Sequence, residues 1–316
     1  MRTVVALGGN ALQRPGGLGH WAEAVERMRA TVPALVALVG DGHDLVLTHG
    51  NGPQVGQLLR EGEIAGREVP PRPMPVLGAE TQGQIGGLIQ QELGAALTRA
   101  RLPRTVLTVI SQVRVERRDP AFRRPSKPVG REYTEAEARL LRKREGWTLE
   151  HDVARGGWRR VVPSPRPVEW IEGPAVRAWL DAPAGRSVVP VVAGGGGIPV
   201  FRDRSGRIEG VDAVIDKDRT AALVAQQLGA ETLAIVTDVP AAAVGFGRTW
   251  ERWLGAVSKD ELARFQAAGE FAEGSMGPKV EAGLSFLAGG GRRFLITDIP
   301  SLPRALRGEA GTRVEG

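Results

Sequence analysis

Lysine is scarce in this chain and placed where chemistry could use it. The 42 Lys and Arg residues include only five lysines. Three of these stand in short Gly- or Pro-bearing motifs: Ser126-Lys127-Pro128-Val129-Gly130, Ile215-Asp216-Lys217-Asp218 and Gly277-Pro278-Lys279. A lysine ammonium is a compact point charge with rotatable donors, whereas arginine is a planar fork. A chain that writes nearly every positive charge as Arg and keeps Lys beside glycine-rich turns points to phosphate chemistry. A lysine in the first turn of a helix opposes the helix dipole. Lys217 and Lys279, both at predicted helix starts, therefore read as functional. Asp218 reads either as a partner to those lysines or as a first-turn acid that complements the dipole. Asp216 reads as a site residue or as an N-cap.

Glycine-rich turns follow three predicted strands: Gly8-Gly9-Asn10-Ala11, His49-Gly50-Asn51-Gly52-Pro53-Gln54 and Gly194-Gly195-Gly196-Gly197-Ile198-Pro199. Glycines at strand ends let backbone N–H groups approach an anion, and a following helix N-terminus adds positive potential. Three such turns on one sheet indicate a phosphorylated ligand. Familiar alternatives are absent. There is no Gly-x-x-x-x-Gly-Lys-Ser/Thr loop, no His-Glu-x-x-His and no Gly-x-Ser-x-Gly, and the turn at 194–199 lacks dinucleotide spacing. The four histidines are dispersed; His43 and His49 read as structural or surface residues.

The elements that must carry these motifs alternate along the chain. Strands are expected at Thr3–Leu7, Asp44–Thr48, Arg104–Ile110, Ser187–Val192, Thr232–Thr237 and Phe294–Thr297. Helices are expected over Trp21–Val39 (with a kink at Pro33), Glu80–Ala100, Lys217–Leu228 and Lys279–Leu287. Short apolar strands alternating with helices predict an α/β fold: an open, mainly parallel sheet sandwiched by helices. Residues 113–167 break the pattern with Arg, Pro and Gly. They read as an inserted, protruding subdomain within a single 1–316 domain. A floppy loop is the alternative.

The composition, with 25% charged residues and no cysteine, is that of a globular protein without disulfides or thiolate metal ligands. Neither a membrane-spanning run nor a secretory signal is visible, so a cytoplasmic location is expected, with no membrane partner. The formal net charge is +6, but the basic residues are scattered and aromatics are 5%. No nucleic-acid partner is expected.

Taken together, the strings quoted above resemble the carbamate kinase family, of the amino-acid kinase fold. They are joined by Thr48-His49-Gly50-Asn51-Gly52-Pro53-Gln54-Val55-Gly56, Gln82-Gly83-Gln84-Ile85-Gly86, Arg159-Arg160-Val161-Val162-Pro163-Ser164-Pro165, Thr237-Asp238-Val239 and Gly274-Ser275-Met276-Gly277-Pro278-Lys279. The resemblance is co-linear from residue 3 to about 300. It implies reversible phosphoryl transfer between ATP and carbamate, giving ADP and carbamoyl phosphate, with Mg²⁺, in a homodimer. It further implies that Lys217 and Lys279 contact the nucleotide phosphates and that Asp218 holds them, with Asp216 as the second candidate. Gly8, Gly9, Asn10, Gly50, Asn51 and Gly52 would bind carbamate or its phosphorylated form. Lys127 would act from the inserted lid. Asp238, Met276, Gly277 and Pro278 would line the nucleotide side, within residues 188–316; the N-terminal part would form the carbamate side. No metal is assigned a fixed protein ligand set. The chain departs from the family at Arg131-Glu132-Tyr133, where Pro-Phe-Tyr is usual. It departs again at Pro240-Ala241-Ala242-Ala243, where bulkier residues, often including a Tyr near the adenine, are usual. The first departure puts lid packing in question, the second base stacking. Two other readings stay open: a sibling kinase for another carboxylate, and a nucleotide-binding regulator.

Overall fold

The computed structural model describes residues 1–9, 20–66, 68–152, 156–272 and 274–316. An eight-stranded sheet forms its centre, in the order β15-β17-β16-β12-β1-β2-β9-β3. The strands are β1 (Arg2–Leu7), β2 (Asp44–His49), β3 (Thr105–Thr108), β9 (Val188–Val191), β12 (Thr232–Val236), β15 (Ala256–Ser258), β16 (Arg293–Thr297) and β17 (Thr312–Glu315). All pairings are parallel except β16 with β17. The central strands are β-branched and apolar because both of their faces are covered.

Side-chain alternation along each strand separates two cores. Val4, Ala6, Leu233, Ile235, Phe294 and Ile296 pack on one face with residues of α6 (Lys217–Gln227) and α8 (Met276–Ala288). Val5, Leu7, Ala234, Val236 and Leu295 pack on the other face. That face is covered by α1 (Trp21–Gly40), α3 (Met74–Arg99) and α9 (Leu302–Leu306). Pro33 lies inside α1, which runs as one helix across it. The α3 helix starts before the expected Glu80, with Pro75 in its first turn, where a missing N–H costs nothing. The other helices outside the insert are α2 (Gly52–Ala65), α5 (Gly173–Asp181) and α7 (Lys259–Ala267). Among the described residues, no helix is long and apolar enough to cross a membrane.

Three smaller sheets flank the centre. The strands β4 (Gln112–Arg114), β8 (Glu169–Trp170), β10 (Ile198–Arg202) and β11 (Ile208–Gly210) form one; β13 (Ala243–Val244) and β14 (Arg252–Trp253) form a hairpin. The third is an insert. It comprises β5 (Lys127–Tyr133), β6 (Leu149–Asp152) and β7 (Gly157–Val162), with α4 (Glu135–Glu145) between β5 and β6. A capping box between Thr134 and Glu137 starts α4, and Gly146, at φ 68°, ends it. Gln112–Arg114 belongs to the four-stranded sheet, so the separate sheet begins only at Lys127.

Registers along the main sheet bring the site together. Leu7 stands opposite both His49 and Val236, and Val236 opposite Thr297. The carboxyl ends of these strands are therefore level. In an open parallel sheet this is the edge where ligands bind.

Candidate active site

The first turn of α6 is the centre of the site. Asp216 is its N-cap: Oδ1 accepts from the backbone N–H of Asp218 at 3.0 Å and of Arg219 at 3.3 Å. Its other oxygen, Oδ2, accepts from Lys127 Nζ at 3.0 Å, across 89 residues of sequence. The N-cap reading of Asp216 thus holds, and its second oxygen is taken by Lys127. Burial alone would push the Asp216 carboxyl up. The Lys127 ammonium, aided by Lys217 and the Arg219 N–H, outweighs this and holds it at about 2.

Asp218 is 2% exposed. Its Oδ2 accepts from Lys279 Nζ at 3.0 Å and faces Lys217 Nζ at 3.6 Å. Lys279 also donates to Ser275 O at 3.3 Å. Its side chain is nearly buried, whereas those of Lys217 and Lys127 remain about one-third open. Three ammonium groups thus converge on two carboxylates at a helix N-terminus. The carboxylates offset the penalty for placing Lys217 there. Asp218 Oδ1 is buried without a hydrogen-bond partner.

The glycine turns form the wall beside this centre. Gly50 N donates to Leu7 O, and Gly8 N to Val236 O. A side chain at Gly50 would come within 3.0 Å of Lys217 Cδ and 3.4 Å of Gly9 N. Gly9, Gly50 and Lys217 are therefore neighbours, and the absence of a side chain at 50 lets the lysine stem pass. Asn10 lies outside the described residues. Asn51 is buried, with Nδ2 donating to Thr81 Oγ1 at 2.9 Å. Gly52 is exposed and opens α2.

The 194–197 turn supports the site from below. Gly195 has φ +67°, and a Cβ on it would lie 2.1 Å from Asn51 Nδ2. Only glycine permits both that conformation and that approach. Further hydrogen bonds hold the turn: Thr220 Oγ1 donates to Gly196 O, Ala193 N to Ser111 Oγ, and Ser111 N to Gln82 Oε1. His49 is fully buried beside Gly194, with its Nδ1 3.1 Å from Gly50 O. Burial pushes its imidazole down to about 4, against a smaller opposing effect of the Gly50 contact. It is neutral at working pH, in agreement with a structural reading.

Of the residues expected on the nucleotide side, Asp238 is exposed just past β12. Met276, Gly277 and Pro278 form the first turn of α8 directly before Lys279. That helix starts before the expected Lys279. Sequence reasoning singled out neither Thr81, Ser111 nor Thr220 as supports of the turns. Of the supporting groups, only Gln82 fell inside a recognised string.

At the insert, Arg131 pairs with Glu63 of α2 at 3.2 Å and with Glu137 at 2.9 Å. The phenol of Tyr133 donates to Glu63. The departure at Arg131-Glu132-Tyr133 therefore builds an ion-pair network with α2. Below it, Val129 and Val162 of the insert pack with Val55, Met74 and Leu77.

A parallel sheet edge bearing glycine turns, two lysines on one buried aspartate and a third lysine from an insert thus meet in one place. The profile of the Amino acid kinase family matches residues 1–298, and the chain belongs to that family. Within it, the chain groups with the carbamate kinases. It is 43% identical to the carbamate kinase of Thermococcus kodakarensis, over 99% of this chain and 98% of that one. A solved structure from Aeropyrum pernix K1 superposes with a TM-score of 0.93 at 41% identity, covering 100% of this chain and 99% of that one. Carbamate kinase from Giardia lamblia bound to AMP-PNP superposes with a TM-score of 0.92 at 37% identity, covering 99% and 98%.

Proposed function

We propose that this chain is a carbamate kinase. It moves a phosphoryl group reversibly between ATP and carbamate, giving ADP and carbamoyl phosphate. The observation that carries this reading is the convergence of Lys127, Lys217 and Lys279 on Asp216 and Asp218 beside the Gly9 and Gly50 turns.

The attacking atom of carbamate is a carboxylate oxygen, already anionic, so no general base is needed. Catalysis reduces to alignment and to neutralising charge on the transferred group. Each lysine ammonium has three donors. Lys279 uses donors on Asp218 and Ser275, and Lys217 faces Asp218 as an ion pair at 3.6 Å; both keep donors for the phosphate oxygens. The backbone of Gly8, Gly9, Gly50, Asn51 and Gly52, with Asn10, would hold carbamate or carbamoyl phosphate opposite them. Lys127, carried by the lid at 127–162, would close the site from above. On binding it would exchange its contact with Asp216 for the substrate's anionic end. Asp238, Met276, Gly277 and Pro278 would take the nucleoside.

Among the described residues no group of three or more His, Asp or Glu side chains could hold a metal alone. The unpaired Asp218 Oδ1 instead fits Mg²⁺ brought in with the nucleotide, which keeps phosphate and water oxygens as most of its ligands. When bound, the ion would neutralise phosphate charge.

Carbamoyl phosphate is a mixed anhydride, so the favoured direction in the cell is toward ATP. Use of ATP and ADP fits a cytoplasmic enzyme. A homodimer is part of the proposal. The exposed Ile64 and Val76, on α2 and α3, offer apolar surface for it; sedimentation of the purified protein tests it.

The deciding experiment is ATP formation from ADP, Mg²⁺ and carbamoyl phosphate, with Lys279→Ala as the control. We expect formation that collapses in the variant. ADP binding without ATP formation would reject the reading.

A further inference from the structure

The hairpin of β13 and β14 presents aromatic rings to solvent. Phe246, Trp250 and Trp253 are 65%, 50% and 43% exposed. Rings of this size are usually well covered, and a cluster of exposed ones marks a surface that receives something flat and apolar. Among the described residues, the other comparably exposed aromatic is Trp21, on α1 in a different layer.

The three rings are not equivalent. Trp250 lies against the backbone of Gly245: a Cβ there would be 2.3 Å from its Cε3 and Cζ3, and Gly245 has φ +62°. The Arg248 guanidinium stands 5.2 Å from the same ring. Trp250 therefore fixes the turn. Trp253 stands directly across the hairpin from Ala243. Cross-strand partners on one face lie about 5 Å apart at Cβ, and here the partner offers only a methyl group. The ring neighbour of Trp253 is Phe246, with centroids 6.3 Å apart and planes at 81°. The two rings thus meet edge to face, and both stay partly open to solvent.

The hairpin stands on the same block as the phosphate-directed lysine. Gly245 N donates to Glu270 Oε2 at 3.0 Å, in the segment that leads into α8. Ala242, Val244, Phe271 and Val280 share one core cluster, and Met276 packs against it. Met276 opens the helix that carries Lys279. The rings are thus fixed to the block whose helix carries Lys279, one of the lysines proposed to hold the nucleotide phosphates.

We propose that Trp253, backed by Phe246, is a nucleotide-binding residue that stacks on the base. It would supply from β14 the aromatic surface that Ala243 lacks on the facing strand. The inference rests on the phosphoryl-transfer reading above. The test compares wild type, Trp253→Ala and Trp253→Phe. It measures ADP affinity, affinity for base-free tripolyphosphate, and steady-state kinetics with carbamoyl phosphate. Stacking on an aromatic side chain predicts a roughly tenfold or larger loss of ADP affinity and a matching rise in its KM in the Ala variant. Tripolyphosphate affinity, kcat and the KM for carbamoyl phosphate should not change, and Phe should restore most of the loss. Unchanged ADP affinity in Trp253→Ala, or an equal loss for tripolyphosphate, would overturn the proposal. A wild-type protein that makes no ATP would instead reject the carbamate reading, and the binding comparison would still decide the role of Trp253.

Discussion

The two lysine–aspartate contacts at the site are built to different standards. Lys279 and Asp218 are both buried, on helices α6 and α8 that share a packed core, and they meet at 3.0 Å. Lys127 and Asp216 meet at the same distance, but Lys127 comes from a separate sheet and its side chain is 38% exposed. The first contact is a fixed part of the scaffold. The second joins two bodies through one ion pair, an apolar patch around Val129 and Val162, and the Glu63 network. A phosphoryl-transfer site needs both kinds: one set of charges held in place for the transition state, and one that can leave to admit substrate.

The largest effect should come from the fixed contact. Lys279→Ala should lower turnover by about a hundredfold or more, as removal of a preorganised transition-state donor does. It should also lower the denaturation midpoint, because Asp218 is left buried with Lys217 alone at 3.6 Å. Near-normal turnover would break the assignment. So would unchanged stability, which would make the node no more fixed than the insert.

Acid should act next, through His49. Its folded value of about 4 lies below the unfolded 6.5. The unfolded state therefore binds the extra proton first. The stability contribution is whole above pH 6.5 and is lost as pH falls toward 4, by about 3 kcal/mol. Asp216 acts later: its folded value of about 2 lies below the unfolded 3.8, so its contribution holds above pH 3.8 and is lost toward 2. Urea midpoints measured from pH 7 to 4 should fall for wild type and stay flatter for His49→Gln. Parallel curves would show that His49 does not titrate as a buried neutral group.

Lys127→Ala should raise the KM for carbamoyl phosphate about tenfold, with a smaller stability loss than Lys279→Ala, since the partly exposed pair is screened by water. An equal stability loss would erase the contrast between the two regions. Glu63→Gln should do least. It removes an outer ion pair worth under about 1 kcal/mol, so global stability should hardly change. The chain has a single tyrosine, Tyr133. The ¹⁹F signal of fluorotyrosine-labelled protein should move in Glu63→Gln; a static signal would remove Glu63 from the insert's attachment.

Much of the architecture was legible because local signals agreed. Thr3–Leu7, Thr232–Thr237 and Phe294–Thr297 are apolar, β-branched or aromatic runs that end at turns, and a strand buried on both faces demands that pattern. The α2 helix was missed because Gly52, Pro53 and Gly56 hide its periodicity; Pro53 is tolerated there because it sits in the first turn. The insert's α4 was missed because it is short and mostly charged, with Ala138 its one buried residue. Its capping box, Thr134 with Glu137, was the available signal.

The sequence by itself determined which residue types the site would hold. Scarce lysines beside glycines, and aspartates at a helix start, follow from local chemistry and can be read one motif at a time. Which partner each residue takes was a tertiary decision. Asp218 meets Lys279 from 61 residues away and Asp216 meets Lys127 from 89. Those distances close only because sheet register levels the strand ends and packing brings α6 against α8. The same holds for Gly195 against Asn51 and Trp253 across from Ala243. Spacing along a chain encodes periodicity within one element, whereas contacts between elements depend on how their buried faces pack.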